Sequence, residues 1–144
     1  MAPKKYFKGL SKEEQEEKKK NIKKSKKLYN QGKKKQAFKV ASKRPNIDTG
    51  KKSSFTTRFK KKFPDVKPLT QDFSKATGIP LKDQKEIYKR GMGAFITSGS
   101  RSSVKSPEQW SYARLYAFYF KALEGKNKIN QDQDIYDKIK NKIK

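Results

Sequence analysis

Cysteine and histidine are both absent from the 144 residues. Without cysteine there can be no disulfide, thiolate zinc site or thiol nucleophile. Without histidine the chain lacks the usual general base and the commonest metal ligand. Acidic residues number 14 against 39 Lys and Arg, and they do not cluster as an acid–base pair or metal cage would require. No enzyme activity, cofactor or metal is expected. Apolar runs fall short of the ~18 residues that cross a bilayer. The opening "MAPKKYFKGL" lacks the apolar stretch of a secretory signal, and neither Ala2 nor the ending "KIKNKIK" signals lipidation. These absences point to an intracellular or virion protein with no membrane span.

What remains is dominated by lysine. The formal net charge is +25 and only 31% of residues are hydrophobic, too few for a core along the whole length. Such a balance attracts polyanions: nucleic acid, an acidic protein surface or anionic lipid. Residues 1–63 carry 23 Lys and Arg against 5 acids, and residues 64–144 carry 16 against 9. The expectation is a mainly α chain: a long basic, partly helical N-terminal arm over 1–63 and a small α-rich domain over 64–144.

Within the arm, Ser11 and Glu14 form a capping box and Gly32 is a plausible stop. Glutamates at 13, 14, 16 and 17 followed by lysines suit the dipole of the helix between them. Its apolar residues, Ile22, Leu28 and Tyr29, make a thin stripe, so the helix is either solvated or docked on a partner. Lys18, Lys19, Lys20, Lys23, Lys24, Lys33, Lys34 and Lys35 are candidate contacts to a partner or nucleic acid. "KRPNIDTGKKSS" reads as a turn or loop. In "SFTTRFKKKF", Phe55, Phe59 and Phe63 lie four apart on one stripe of a short helix, among Arg58, Lys60, Lys61 and Lys62. The stripe reads as a partner-docking face, with base stacking as the alternative. The four cations join the candidate contacts.

Helix signals resume at Thr70, as cap of a helix over roughly 70–76, and at a second helix over roughly 81–90, stopped by Gly91. Leu69, Phe73, Ala76, Ile79, Leu81, Ile87 and Tyr88 can close on one another. The outline matches a helix-turn-helix poorly, because Gln84 stands where that motif buries an aliphatic residue. Ser106, Pro107 and Gln109 then open a helix that runs to Gly125. Its face of Trp110, Ala113 and Phe118, with aromatics on the other sides, predicts a buried core helix. Lysine is nearly missing from 91–120 for that reason, since burying its ammonium is costly. Arg114 on this helix is read either as a structural partner of an acid such as Glu86 or Asp134, or as a phosphate or carboxylate contact. "RGMGAFITSGSRSS" reads as a structured loop with Arg101 aimed outward. It matches neither phosphate-loop nor dinucleotide patterns. Ile135, Tyr136, Ile139 and Ile143 predict a closing helix from about 132, capped by Asp132 and Asp134.

The residues Tyr88, Arg90, Gly91, Gly93, Ala94, Phe95, Ser98, Gly99, Ser100, Arg101, Trp110, Ala113 and Arg114 resemble the signature of an uncharacterised family of large double-stranded DNA viruses and tailed phages. Ser102 stands where many members have proline. The likeness spans roughly 23–124 and is most specific over 88–114. It implies a viral, non-enzymatic virion component. On it rests the expectation of a minor capsid or internal structural protein. Its arm and domain would bridge capsid subunits at the acidic inner surface of the capsid. The alternative is a protein that coats or condenses double-stranded DNA without reading its sequence.

Overall fold

In the computed structural model, residues 6–44, 54–98, 106–125, 128–129 and 131–144 are described. All regular elements among them are helical: α1 (Lys12–Asn30), α2 (Lys34–Ser42), α3 (Ser54–Lys62), α4 (Gln71–Thr77), α5 (Leu81–Ser98), α6 (Pro107–Glu124) and α7 (Gln133–Ile139), then a 3-10 turn Lys140–Lys142. The mainly α expectation holds. Positions 45–53 of the turn or loop anticipated over 43–54, and the segment 99–105 with Arg101, lie outside the described residues.

Local signals set most boundaries. Ser11 accepts from the Glu14 amide while the Glu14 carboxylate accepts from the Ser11 amide, so the capping box at α1 is complete. Thr70 caps α4 through the Phe73 amide, and Gly78 ends it in the left-handed conformation at φ +82°. The Ser106 hydroxyl takes the Gln109 amide at the start of α6. Two boundaries differ from expectation. The Lys34–Ser42 segment, for which no helix is expected from the sequence, is helical. The helix expected to stop at Gly91 continues to Ser98. Each glycine inside a helix costs about 1 kcal/mol relative to alanine. Gly93 has a compensating use, because a Cβ there would sit 2.9 Å from the Tyr29 hydroxyl. The missing side chain lets α1 and α5 approach closely.

The chain divides into two compact units, each drawn from two separated stretches: 1–51 with 90–110, and 52–89 with 111–144. The expected boundary at 63/64 follows the change in charge density, whereas the compact units follow packing. Helix α5 therefore gives its first half to unit 2 and its second half to unit 1. Helix α6 gives only its first turn to unit 1.

Unit 1 has a small apolar cluster of Ala37, Ala41, Phe95 and Ile96, flanked by Leu28, Tyr29, Phe38 and Trp110. Unit 2 has the larger core. Phe59 is fully buried at its centre, with its ring 4.7 Å from Tyr116 and 4.9 Å from Phe73, and edge-on to Tyr119 at 5.8 Å. Ile79, Ile87, Leu115, Phe118, Ile135 and Ile139 fill the rest. Gln84 is buried here too. Its Nε2 donates to the carbonyls of Ile79 (2.9 Å) and Thr70 (3.2 Å), while its buried Oε1 has no hydrogen-bond partner among the described residues.

Candidate functional site

Unit 1 places its lysines by helix periodicity. On α1 the inward positions are Gln15, Lys18, Ile22, Ser25 and Tyr29, one per turn, and the lysines between them face solvent. Of the lysines predicted to make contacts, Lys19, Lys20, Lys23, Lys24, Lys33, Lys34 and Lys35 are exposed, and Lys26, Lys27, Lys39 and Lys43 join them. From Lys18 to Arg44 the sequence holds no acid at all. The four glutamates of α1 all precede this stretch, and the Lys19–Glu16 pair at 3.5 Å is their one bridge into it among the ion pairs described. An uninterrupted cationic surface across α1 and α2 is the result. At the start of α2, Lys33 offers no side-chain cap and the first turn carries no acid. Three lysines thus stand at the positive end of a helix, where anions are favoured and cations are not.

Lys18 does not belong to this surface. It is 1% exposed, because position 18 lies on the inner stripe. Its ammonium donates to the Tyr6 carbonyl and lies 5.8 and 5.6 Å from the Tyr6 and Phe7 ring centres. Burial first, and the Arg44 charge second, lower its pKa from 10.5 to about 8.

Beneath the surface lies a polar clasp that local sequence patterns do not reveal. Arg44 is buried after the end of α2. Its Nε donates to Asn21 Oδ1 (2.8 Å), Nη1 to the Phe95 carbonyl (2.9 Å) and Nη2 to Ser25 Oγ (3.0 Å). The Ser25 hydroxyl donates to the Ile96 carbonyl at 2.6 Å, and Asn21 donates to the Val40 carbonyl at 2.6 Å. Phe95 and Ile96 lie in the last turn of α5, whose carbonyls have no partner within the helix. That turn has no basic residue of its own. Arg44 supplies the cation that the negative helix end favours. Burial lowers its pKa from the ordinary guanidinium range to about 10, leaving it charged at neutral pH.

In unit 2 the cations of α3 stand over an aromatic core. Phe55 and Phe63 are half-buried against the core that encloses Phe59, so the phenylalanine stripe packs inside its own unit and is not a free docking face. The physical reason is its period, which matches that of the inward side of α3. Arg58, Lys60, Lys61 and Lys62 lie on the exposed side. Arg58 is 4.2 Å from the Phe120 ring centre and 5.9 Å from that of Phe55. Lys62 lies over Tyr119 at 5.1 Å and donates to its hydroxyl at 3.0 Å.

Among the predicted core residues, Phe118 is buried, Ala113 is half-buried and Trp110 is half-buried in unit 1, where it packs on the smaller cluster. Trp110 is thus not at the centre of the larger core, because it belongs to unit 1 and the rest of α6, from Ser111, to unit 2. Arg114 is bidentate to Asp132, with Nε and Nη2 at 3.0 and 2.9 Å from the two carboxylate oxygens. The structural reading of this arginine is the one the geometry supports, with Asp132 as partner in place of Glu86 or Asp134. Asp132 consequently gives α7 no side-chain cap. No group of His, Cys, Asp or Glu among the described residues could hold a metal ion. Nor is any helix among them long and apolar enough to cross a membrane.

A family model described as a family of unknown function (DUF5824) matches residues 3–138. The chain belongs to this family. No curated protein and no solved structure matches it. The match takes in both units, so this DUF5824 member carries the cationic surface and the aromatic core within the family region.

Proposed function

We propose that this protein is a non-enzymatic structural protein that holds double-stranded nucleic acid by its phosphates without reading base sequence. The observation that carries the reading is the acid-free surface of α1 and α2, where eleven exposed lysines stand between Lys18 and Arg44. Lysine is a mobile point charge suited to phosphates, and bidentate arginine contacts to base edges are missing from this surface. Among the described residues the exposed large hydrophobic side chain is Leu123 alone. The described residues thus offer no exposed aromatic platform for stacking unpaired bases, which favours duplex over single strand. Resemblance over residues 88–114 is what supports a place inside a virion, on the inner side of the capsid. Bridging of capsid subunits through the phenylalanine stripe has less support, since Phe59 lies in the unit 2 core.

The test is duplex affinity against salt. Log K should fall linearly with log salt, with a slope of about −0.9 per phosphate neutralised. Replacing Lys19, Lys20, Lys23, Lys24, Lys26 and Lys27 by glutamine should flatten that slope by several units, equally for unrelated sequences. Salt-independent binding, or single strands bound much more tightly than duplex, would refute the reading.

A further inference from the structure

Cations stand over rings in both units: in unit 1 the exposed Lys19 and Lys34 lie 5.5 and 5.6 Å from the Phe7 and Tyr29 ring centres, and in unit 2 such seating is concentrated on α3. Along α3, residues 54–64 contain no acid, and Arg58, Lys60, Lys61 and Lys62 are all exposed. Two of them are seated on aromatic faces. The Arg58 guanidinium lies 4.2 Å from the centre of Phe120, and Lys62 lies 5.1 Å from that of Tyr119 while donating to its hydroxyl. From α6, Lys121 adds a third, 5.8 Å from the Phe55 ring centre. The rings are themselves fixed: Phe120 and Tyr119 are buried, and Phe55 packs on Phe120 at 6.5 Å.

A solvent-exposed cation already held over a buried ring has less rotamer freedom to lose when it meets an anion. A guanidinium also keeps its planar fork for a phosphate, which an ammonium on a free stem does not offer. The aromatic core beneath α3 thus presents its cations ready placed. Unit 1 gathers a larger charge by number, through eleven exposed lysines around two helices.

We propose that unit 2 carries a second, independent phosphate-binding surface built from α3 and Lys121, so that one chain engages two nucleic-acid duplexes and bridges them. The inference rests on the duplex-binding reading above and adds bivalency to it. Two sites on one chain also raise avidity for a folded-back or crowded duplex, by effective concentration and without new contacts.

The experiment mixes two short duplexes of unrelated sequence, one bearing a donor dye and the other an acceptor, with the full chain at substoichiometric amounts. Duplex excess suppresses precipitation by charge neutralisation. Wild type should give energy transfer. Lys60→Gln/Lys61→Gln, which leaves the ring-seated cations in place, should lower transfer at least twofold while retaining most of the affinity for a single duplex. Adding Arg58→Gln should abolish transfer, with circular dichroism confirming the helical content. Binding without transfer in the wild type would overturn bivalency yet leave the duplex reading intact. Absence of duplex binding altogether would remove both. Transfer undiminished in the unit 2 variants would place the bridge elsewhere, as in self-association of the chain. Equal displacement of both duplexes by polyglutamate and by polyphosphate of matched charge would assign the surface to acidic protein and overturn the phosphate assignment.

Discussion

Replacing Arg44 by methionine keeps an unbranched apolar stem in the interior of unit 1 and removes the fork that binds three acceptors. Hydrogen bonds to charged groups contribute about 1.5–3 kcal/mol each, though not additively within one network. Ser25 keeps its bond to the Ile96 carbonyl, so the groups left stranded are the Phe95 carbonyl and Asn21 Oδ1. An unsatisfied buried acceptor costs about 1–3 kcal/mol, and loss of the cation at the end of α5 adds about 0.3–1 kcal/mol. Against this stands the relief of burying a charge. Burial has lowered the Arg44 pKa to about 10, which corresponds to roughly 3 kcal/mol regained. These ranges leave a net destabilisation of unit 1 of about 2 kcal/mol at their midpoints and of at most about 4 kcal/mol. Trp110, the chain's single tryptophan, packs on the unit 1 cluster, so its fluorescence during urea unfolding follows that unit. With a slope of about 1–3 kcal/mol per molar urea, the midpoint should fall by roughly 1 M. Arg44→Lys should lie between, because one ammonium cannot span three acceptors in a plane. A methionine variant that unfolds at the wild-type midpoint would refute the clasp as a stabilising device.

Gly78→Ala should destabilise unit 2 by well over the ~1 kcal/mol of a left-handed non-glycine residue. A Cβ there would lie 1.7 Å from the Lys142 carbonyl oxygen, so near-ultraviolet circular dichroism should show a lower melting temperature. An unchanged melt would mean that residues 142–144 do not pack on α4. Arg114→Met should cost about 3–5 kcal/mol by leaving the buried Asp132 carboxylate without its bidentate partner. Arg114→Met/Asp132→Asn should recover part of that loss, and strict additivity in the double-mutant cycle would count against the pair. For Lys18 the folded pKa is about 8 against 10.5 for the free side chain, so the folded chain binds fewer protons than the unfolded chain between those values. Its contribution therefore rises as pH increases from about 8 to 10.5, by roughly 2–3 kcal/mol, and is lost as pH falls through 8. Lys18→Met should flatten that part of the stability profile relative to wild type, and parallel profiles would disprove it.

Helix ends were readable wherever a short-range device sets them. The Ser11–Glu14 box, Thr70 and the Ser106–Pro107 start are contacts within four residues, and sequence shows them directly. Helix α2 has no such device at Lys33, and α5 passes through Gly91, which reads as a stop. The phenylalanine period was visible, but a period says that a face is apolar and not what covers it. The cover for Phe59 is Tyr116, 57 positions away. Charge density likewise records which residues meet water and not which segments pack together, so it put the boundary at 63. Of the candidate contacts, exposure on α1 and α2 follows from helical spacing once α2 is known. Lys18 and Arg44 could not be sorted from their neighbours without the distant carbonyls of Tyr6 and Phe95.

The interleaving of the two units has a consequence for biosynthesis. A nascent chain that has emerged as far as residue 51 holds α1 and α2, but the carbonyls that Arg44 grips at Phe95 do not yet exist. Unit 2 is opened in turn by α3, α4 and the start of α5, and Phe59 waits for Tyr116 on α6. Neither unit closes before the other has begun, so vectorial synthesis cannot finish one and then start the next, as tandem domains do. The pairings that close each unit span fifty residues or more, which slows folding relative to a bundle of local contacts. Ribosome-stalled chains ending before residue 90 should therefore be readily cleaved by protease throughout α1–α3, and protection should appear in both units only after α6 is released.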